Sequence, residues 1–197
     1  MNVEIKPQVL RGPWASGFAL HVHSLSSTYL GDDEYGHAQF STVRSPIGEL
    51  LYQLKYRQDK KALGELAEAA AGFCKQTWKL KVDAIVPVPP SQARRLQPVL
   101  AVANALAKLL QVAVCAECLK KVKRTPQLKD LTDYDDRAEA LRDAFEIDSK
   151  RTKGKRLLLF DDLHGSGATV RTIAEALMKD GGAKSVHLLT LTKKASG

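Results

Sequence analysis

From Ser45 onward, the apolar positions of the chain switch repeatedly between two spacings. "SPIGELLYQLKY" opens with Ser45 as a cap and Pro46 at the first helical position, a combination that starts a helix. "DKKALGELAEAAAGF" repeats the pattern with Asp59 as cap, and its Leu63, Leu66, Ala70 and Phe73 fall on one face at helical spacing. "DAIVPVPPS" then reads as a short apolar strand ending in prolines. "PVLAVANALAKLL" is a helix opened by Pro98, with Leu106, Leu109 and Leu110 on its apolar side. "VAVCAECL" alternates like a strand, and "LLLF" has the continuous apolar character of a parallel strand covered on both faces. "TVRTIAEALMKD" predicts a helix stopped by Gly181 and Gly182, and "SVHLLTLT" a final strand.

Residues 1–45 follow a different pattern. "FALHVHSLSSTY" alternates, "LGDDEYG" is rich in turn formers, and "HAQFSTVR" can return as a second strand, which together predict a β-hairpin. The chain therefore divides into an N-terminal hairpin or cover segment, 1–45, and a core, 46–197. In the core, strands alternating with helices imply right-handed βαβ units: an α/β fold with a mostly parallel sheet flanked by helices. Ligands in such sheets bind beyond the carboxyl ends of the strands. That directs attention to "PVPPSQARR" and "DDLHGSGAT". Between Lys120 and Lys155 lie about 36 polar, charge-rich residues, too long for an ordinary connection and expected to form a mobile flap.

Composition narrows the partners. The 197 residues are enough for one domain with a real core, and 44% hydrophobic with 26% charged content is ordinary for a globular protein. A net charge of +8 favours anionic partners without choosing among nucleic acid, phosphorylated metabolites and membrane surfaces. No apolar run approaches the ~18 residues of a membrane span, and "MNVEIKPQ" lacks a signal-peptide core. Cys74, Cys115 and Cys118 are too few for a disulfide framework or a four-ligand zinc site, so they read as structural cysteines of a cytoplasmic protein.

The chemistry concentrates in "RLLLFDDLHGSGATV". Gly165 and Gly167 let successive backbone N–H groups turn toward an anion, Ser166 and Thr169 add hydroxyl donors, and the following helix points its amino end inward. This suits a monophosphate. It is not a P-loop, since no Gly-Lys-Ser/Thr follows, nor a dinucleotide fingerprint, since the third glycine is missing. It is not a serine nucleophile elbow, because His164 stands two residues before Ser166. Two acids beside an anion loop make sense if the ligand also carries sugar hydroxyls: a ribose 5-phosphate with an activated C1.

Four apolar residues, Asp161-Asp162 and a turn ending in Ala168-Thr169 resemble the signature of type I phosphoribosyltransferases, which bind phosphoribosyl pyrophosphate (PRPP). "LLYQLKYRQDKKALGELA", "DAIVPVPPSQARR", "KRTPQLKDLTDYDDRAEALRDAF" and "KGKRLLLFDDLHGSGAT" follow the order of the ComF/GntX branch over residues 46 to 197. The branch's N-terminal four-cysteine zinc element is missing. The usual Arg-Gly-Phe-Asn-Gln run after the prolines is replaced by Arg95 and "LQPVL", and the Arg-x-x-Asn before Ala-Phe by Arg137 to Ala140.

The resemblance implies the type I fold and assigns Asp161 and Asp162 as catalytic residues on the ribose hydroxyls. It places the 5-phosphate on Gly165, Ser166, Gly167, Ala168 and Thr169. Pro90, Ser91, Arg94 and Arg95 fall on the pyrophosphate side, and Lys121, Lys123 and Arg124 on a flap that closes over the site and excludes water. Mg²⁺ would be carried mainly by PRPP oxygens, with no dedicated protein metal site. The partners implied are PRPP and a small-molecule acceptor, and a homodimer is left open.

Other features compete for a role. His21, His23 and His37, with Asp32, Asp33 and Glu34 in the turn, could bind a metal, form a polar hairpin face, or cover the sugar-phosphate site. "KKVKR" and "KRTKGKR" could meet nucleic acid, but no aromatics interleave with them, so nucleic acid is not favoured. The expectation is a Mg²⁺-dependent phosphoribosyltransferase of unidentified acceptor. The alternatives are a non-catalytic PRPP- or nucleotide-sensing module and a ComF-like accessory protein of DNA uptake.

Overall fold

The structure is a computed structural model that describes residues 3–90, 96–122 and 144–195. Four short N-terminal strands come first: β1 (Gln8–Val9), β2 (Ser16–Val22), β3 (Ser24–Asp32) and β4 (Ala38–Arg44). Helix α1 (Pro46–Tyr52) runs into a π-turn (Gln53–Arg57), and α2 (Lys60–Gly72) follows. Then come β5 (Ala84–Pro87), α3 (Pro98–Leu110), β6 (Ala113–Val114), β7 (Leu119–Lys121), β8 (Phe145–Ile147) and the short α4 (Ser149–Thr152). The chain closes with β9 (Arg156–His164), α5 (Ala168–Lys179) and β10 (Ser185–Lys193).

The caps expected from the sequence are formed. Ser45 Oγ accepts from the Gly48 N–H at 3.0 Å, and Asp59 Oδ1 from the Lys61 N–H at 2.8 Å, each satisfying an N–H that has no partner within its helix. The central sheet has the order β1-β2-β10-β9-β5-β6, parallel throughout except for β1 against β2. It is the expected mixed α/β architecture, a mostly parallel sheet between helices.

β9 shows why its apolar run is continuous. Leu158 and Phe160 bury toward α1, α2 and α3, whereas Leu157 and Leu159 bury toward α5, against Val170, Ile173 and Leu177. All four are fully buried. Each contributes about 1.5–3 kcal/mol of apolar burial. The long axis of the strand is thus fixed from both sides, and so is the direction of the two acids that end it.

Three local expectations are corrected. The N-terminal alternation is not one hairpin: Ser16–Val22 inserts into the central sheet beside β10, and the hairpin is β3 with β4 only. "VAVCAECL" is not one strand. After β6 the chain makes a 3₁₀ turn at Ala116–Cys118, where Cys115 and Cys118 are joined in a disulfide, and β7 then pairs with β8. Leu109 lies outward, 38% exposed, and α3 buries Val102, Ala103, Leu106 and Ala107 instead. The core of the expected flap, with Lys123 and Arg124, lies outside the described residues; β7 and β8 are the arms that lead to it. Ser91, Arg94 and Arg95 likewise lie outside them.

Candidate active site

The carboxyl ends of β2, β10, β9 and β5 meet at one edge of the sheet. Because neighbouring side chains on a strand alternate in direction, Asp161 continues the α5 face of β9 and Asp162 the opposite one. An open cavity of about 120 Å³ lies on the α5 side, lined by Asp161, Leu163, His164 and the loop Gly165–Val170. All five residues expected to hold a phosphate, Gly165 to Thr169, line this cavity together with Asp161.

Asp162 is not a lining residue. Its Oδ2 makes a 2.8 Å ion pair with Lys55 Nζ, both side chains largely buried. Lys55 reaches it from the π-turn after α1. The adjacent acids therefore stand in different environments. Asp161 opens toward the cavity but is otherwise enclosed. Burial, reinforced by the charge of Asp162, pushes its carboxyl up to about 8, against the pull of the Asp162 N–H and of Lys55. That N–H donates to Asp161 Oδ1 at 2.8 Å.

The loop itself is shaped by Gly167. It caps α5 with φ +81, and a Cβ placed there would stand 2.8 Å from His164 Nε2. Only glycine fits both demands. Gly167 has no side chain to cap the helix, and only Ser166 Oγ, accepting from the Ala168 N–H at 3.5 Å, approaches its first N–H, so the amino end of α5 faces the cavity. His164 closes the wall. Burial, then the charges of Arg171 and Lys193, hold its pKa below the ordinary histidine value, so the ring is neutral near pH 7. Its buried Nε2 has no hydrogen-bond partner among the described residues, and neither does Thr190 Oγ1, in register with Asp161 on β10. Buried polar atoms of this kind are normally paired, so a ligand or water is expected to meet them.

Of the other expected site residues, Pro90 is exposed on the loop after β5, and Lys121 ends β7. The three N-terminal histidines do not converge. His21 is buried in the sheet at 3% exposure, His37 contacts Asp33 at the hairpin tip, and His23 lies beside β10. Among the described residues, no group of three His, Cys, Asp or Glu side chains is arranged to hold a metal. No described helix is long and apolar enough to cross a membrane. Lys55, His164 and Thr190 have no part in the site as read from sequence, and His23 entered there only as one of three histidines that could cover it. For Lys55 a signal existed, since it lies within "LLYQLKYRQDKK"; the other three needed the register of the sheet.

Residues 58–197 match the family model described as the phosphoribosyl transferase domain. The chain belongs to this family. It is also 25% identical over 157 residues to the competence protein ComFC of Bacillus subtilis, a match covering 77% of this chain and 62% of that protein. The ComF-like, type I phosphoribosyltransferase resemblance seen in the sequence thus holds.

Similar solved structures include an adenine phosphoribosyltransferase from Thermoanaerobacter pseudethanolicus, 16% identical, with 84% of this chain and 94% of that one covered at a TM-score of 0.47. Another is the glutamine PRPP amidotransferase of B. subtilis complexed with ADP and GMP, 16% identical at a TM-score of 0.46. That match covers 66% of this phosphoribosyltransferase-domain chain and 26% of the amidotransferase.

Proposed function

We propose that this chain is a Mg²⁺-dependent phosphoribosyltransferase that binds PRPP in the cavity at the end of β9 and transfers its ribose 5-phosphate group to a small-molecule acceptor. The observation that carries the reading is the joint lining of one cavity by Asp161 and the Gly165–Thr169 loop at the start of α5. Backbone N–H groups and the Ser166 and Thr169 hydroxyls suit the 5-phosphate, and a carboxylate beside them suits a ribose hydroxyl. Asp162, on the opposite face of β9, holds Lys55 and adds its charge beside Asp161. The transferred carbon passes through an oxocarbenium-like state, which the negative charge of Asp162 at the end of β9 helps to stabilise.

The residues present fit the expected metal in a limited way. Asp161 is the carboxyl facing the cavity; Mg²⁺ typically takes one or two carboxylates together with substrate phosphates and water, so holding it there would require Asp161 to give up its proton. When bound it supplies positive charge to the departing pyrophosphate. Pro90 falls on that side by its place after β5, and the sequence resemblance assigns Ser91, Arg94 and Arg95 the same role.

A second reading, a PRPP-sensing module without turnover, draws support from the Lys55–Asp162 ion pair, which occupies one of the two acids. Calorimetric titration of PRPP with Mg²⁺ into wild type and Asp161→Asn/Asp162→Asn tests both. Binding to wild type that is lost in the double variant is the expected result, and pyrophosphate release on adding an acceptor separates enzyme from sensor. No binding to wild type overturns both readings.

A further inference from the structure

The sequence offers no base to take a proton from the acceptor, but the tertiary structure does. His23 directly follows β2, the strand on the far side of β10 from β9. Its backbone is held from two directions: its N–H donates to the Lys193 carbonyl at 2.7 Å, and its carbonyl accepts from the Ser45 N–H at 3.1 Å. Gly48 in α1 packs onto that carbonyl oxygen so closely that a Cβ would collide with it. The residue is thus fixed between the end of β10 and the start of α1.

Its ring is oriented by a two-bond relay. Thr192 Oγ1 donates its single hydrogen to the Asp162 carbonyl oxygen at 3.1 Å. Toward His23 Nδ1, 3.1 Å away, the same oxygen can then only accept. That fixes the tautomer: Nδ1 carries the hydrogen, and Nε2 keeps its lone pair. The ring is half-buried. The charged groups around it are Lys55 on the π-turn, Arg44 on β4 and Asp162 on β9. Burial, then Lys55 and then Arg44, lower its pKa, with Asp162 opposing, so the imidazole is neutral near pH 7.

We propose that His23 is the catalytic base that accepts the acceptor's proton on Nε2. This rests on the PRPP-transferase reading above. In that reading pyrophosphate leaves toward the loop after β5. Displacement at C1 brings the acceptor in from the opposite flank of β9, and the order β2-β10-β9-β5 places His23 there. The C1–O bond to pyrophosphate breaks with its electron pair leaving on pyrophosphate. The acceptor nitrogen's lone pair forms the new bond to C1, and the nitrogen's proton passes to Nε2, giving an imidazolium. The acceptor class is accordingly a nucleophile with an N–H to surrender, such as a nucleobase or related heterocycle.

The test uses the full chain. Nitrogen-15 NMR of the ring near neutral pH, without ligand, is expected to show protonated Nδ1 and bare Nε2; the opposite tautomer overturns the proposal whatever PRPP does. His23→Asn keeps a donor for Thr192 but has no basic nitrogen. It is expected to bind Mg²⁺–PRPP within about twofold of wild type while kcat, with whichever of adenine, guanine, hypoxanthine, xanthine, uracil and orotate wild type uses, falls about 100-fold or more, as for loss of a general base. The acidic limb of the kcat profile is expected to disappear with it. Retained turnover, or an unchanged acidic limb, overturns the proposal. So does a wild type that binds PRPP but transfers it to none of these bases, an outcome that leaves PRPP binding standing. A wild type that does not bind PRPP removes the transferase reading and this proposal together.

Discussion

Asp161 is placed at the cavity at a cost to the fold. Its carboxyl titrates above the ordinary value of 3.8 because burial and the charge of Asp162 oppose ionisation. A group whose folded pKa is raised contributes fully to stability below its unfolded pKa and loses that contribution as pH rises through the folded value. Asp161→Asn, which removes the charge, should therefore gain thermal stability relative to wild type as pH rises from about 4 to about 8, then hold a constant lead; Tm measured across that range for both proteins checks it. A lead that stays flat with pH contradicts the burial argument. Gly167→Ala acts differently. Its φ of +81 costs a Cβ-bearing residue about 1–2 kcal/mol, and the new methyl meets His164. Calorimetry should show PRPP affinity reduced more than the small loss of Tm would suggest, because the loop cannot keep its turn.

At the scale of elements, the site depends on how β9 is held at both ends. Its start is clamped to the segment before β5: Asp83 Oδ1 accepts from Arg156 Nη2 at 2.7 Å, and Oδ2 from the Arg156 backbone N–H at 2.8 Å and from Nε at 3.2 Å. These hydrogen bonds hold the Asp83 carboxyl down at about 2. A depressed carboxylate stabilises the fold above its ordinary pKa and loses that contribution as pH falls toward the folded value. The gap in urea midpoint between wild type and Asp83→Asn should be constant at neutral pH, narrow below about pH 4 and close near pH 2. Further along the strand, Phe160→Ala empties the space between β9 and the α1–α3 layer. A loss of about 3–5 kcal/mol in equilibrium unfolding is expected, as for other large-to-small aromatic changes in cores. Phe160 also immediately precedes Asp161, so the aim of both acids should suffer with it.

For the whole molecule, residues 8–22 and residues 24–44 play unequal parts. The first group supplies β1 and β2, and β2 covers the open edge of β10 through a run of parallel partners from Ser16 to Val22. The second is a hairpin whose Leu25, Tyr29, Leu30, Tyr35, Phe40 and Val43 are all more than half exposed. Replacing residues 30–39 by a two-residue Asn-Gly turn should leave Tm within a few degrees, since loop tips tolerate such change. Removing residues 1–22 should abolish cooperative unfolding, because it strips two strands of the central sheet, β1 and β2, and exposes the edge of β10.

The same contrast separates what each level of information decided. Helix starts at Ser45, Asp59 and Pro98, the parallel sheet, and the glycine turn at Gly165–Thr169 follow from local causes: cap chemistry, side-chain period, and glycines that permit a tight turn. They were legible along the chain for that reason. Whether "FALHVH" joined a hairpin or the main sheet was not, since strand alternation looks the same in either place and only the free edge of β10 selects the partner. The different surroundings of Asp161 and Asp162, the approach of Lys55 across α1, and the meeting of His23 with Thr192 also lay beyond the sequence. The pairs Lys55–Asp162 and His23–Thr192 join segments more than 100 residues apart, and long-range register is set by packing of the whole sheet rather than by any local preference.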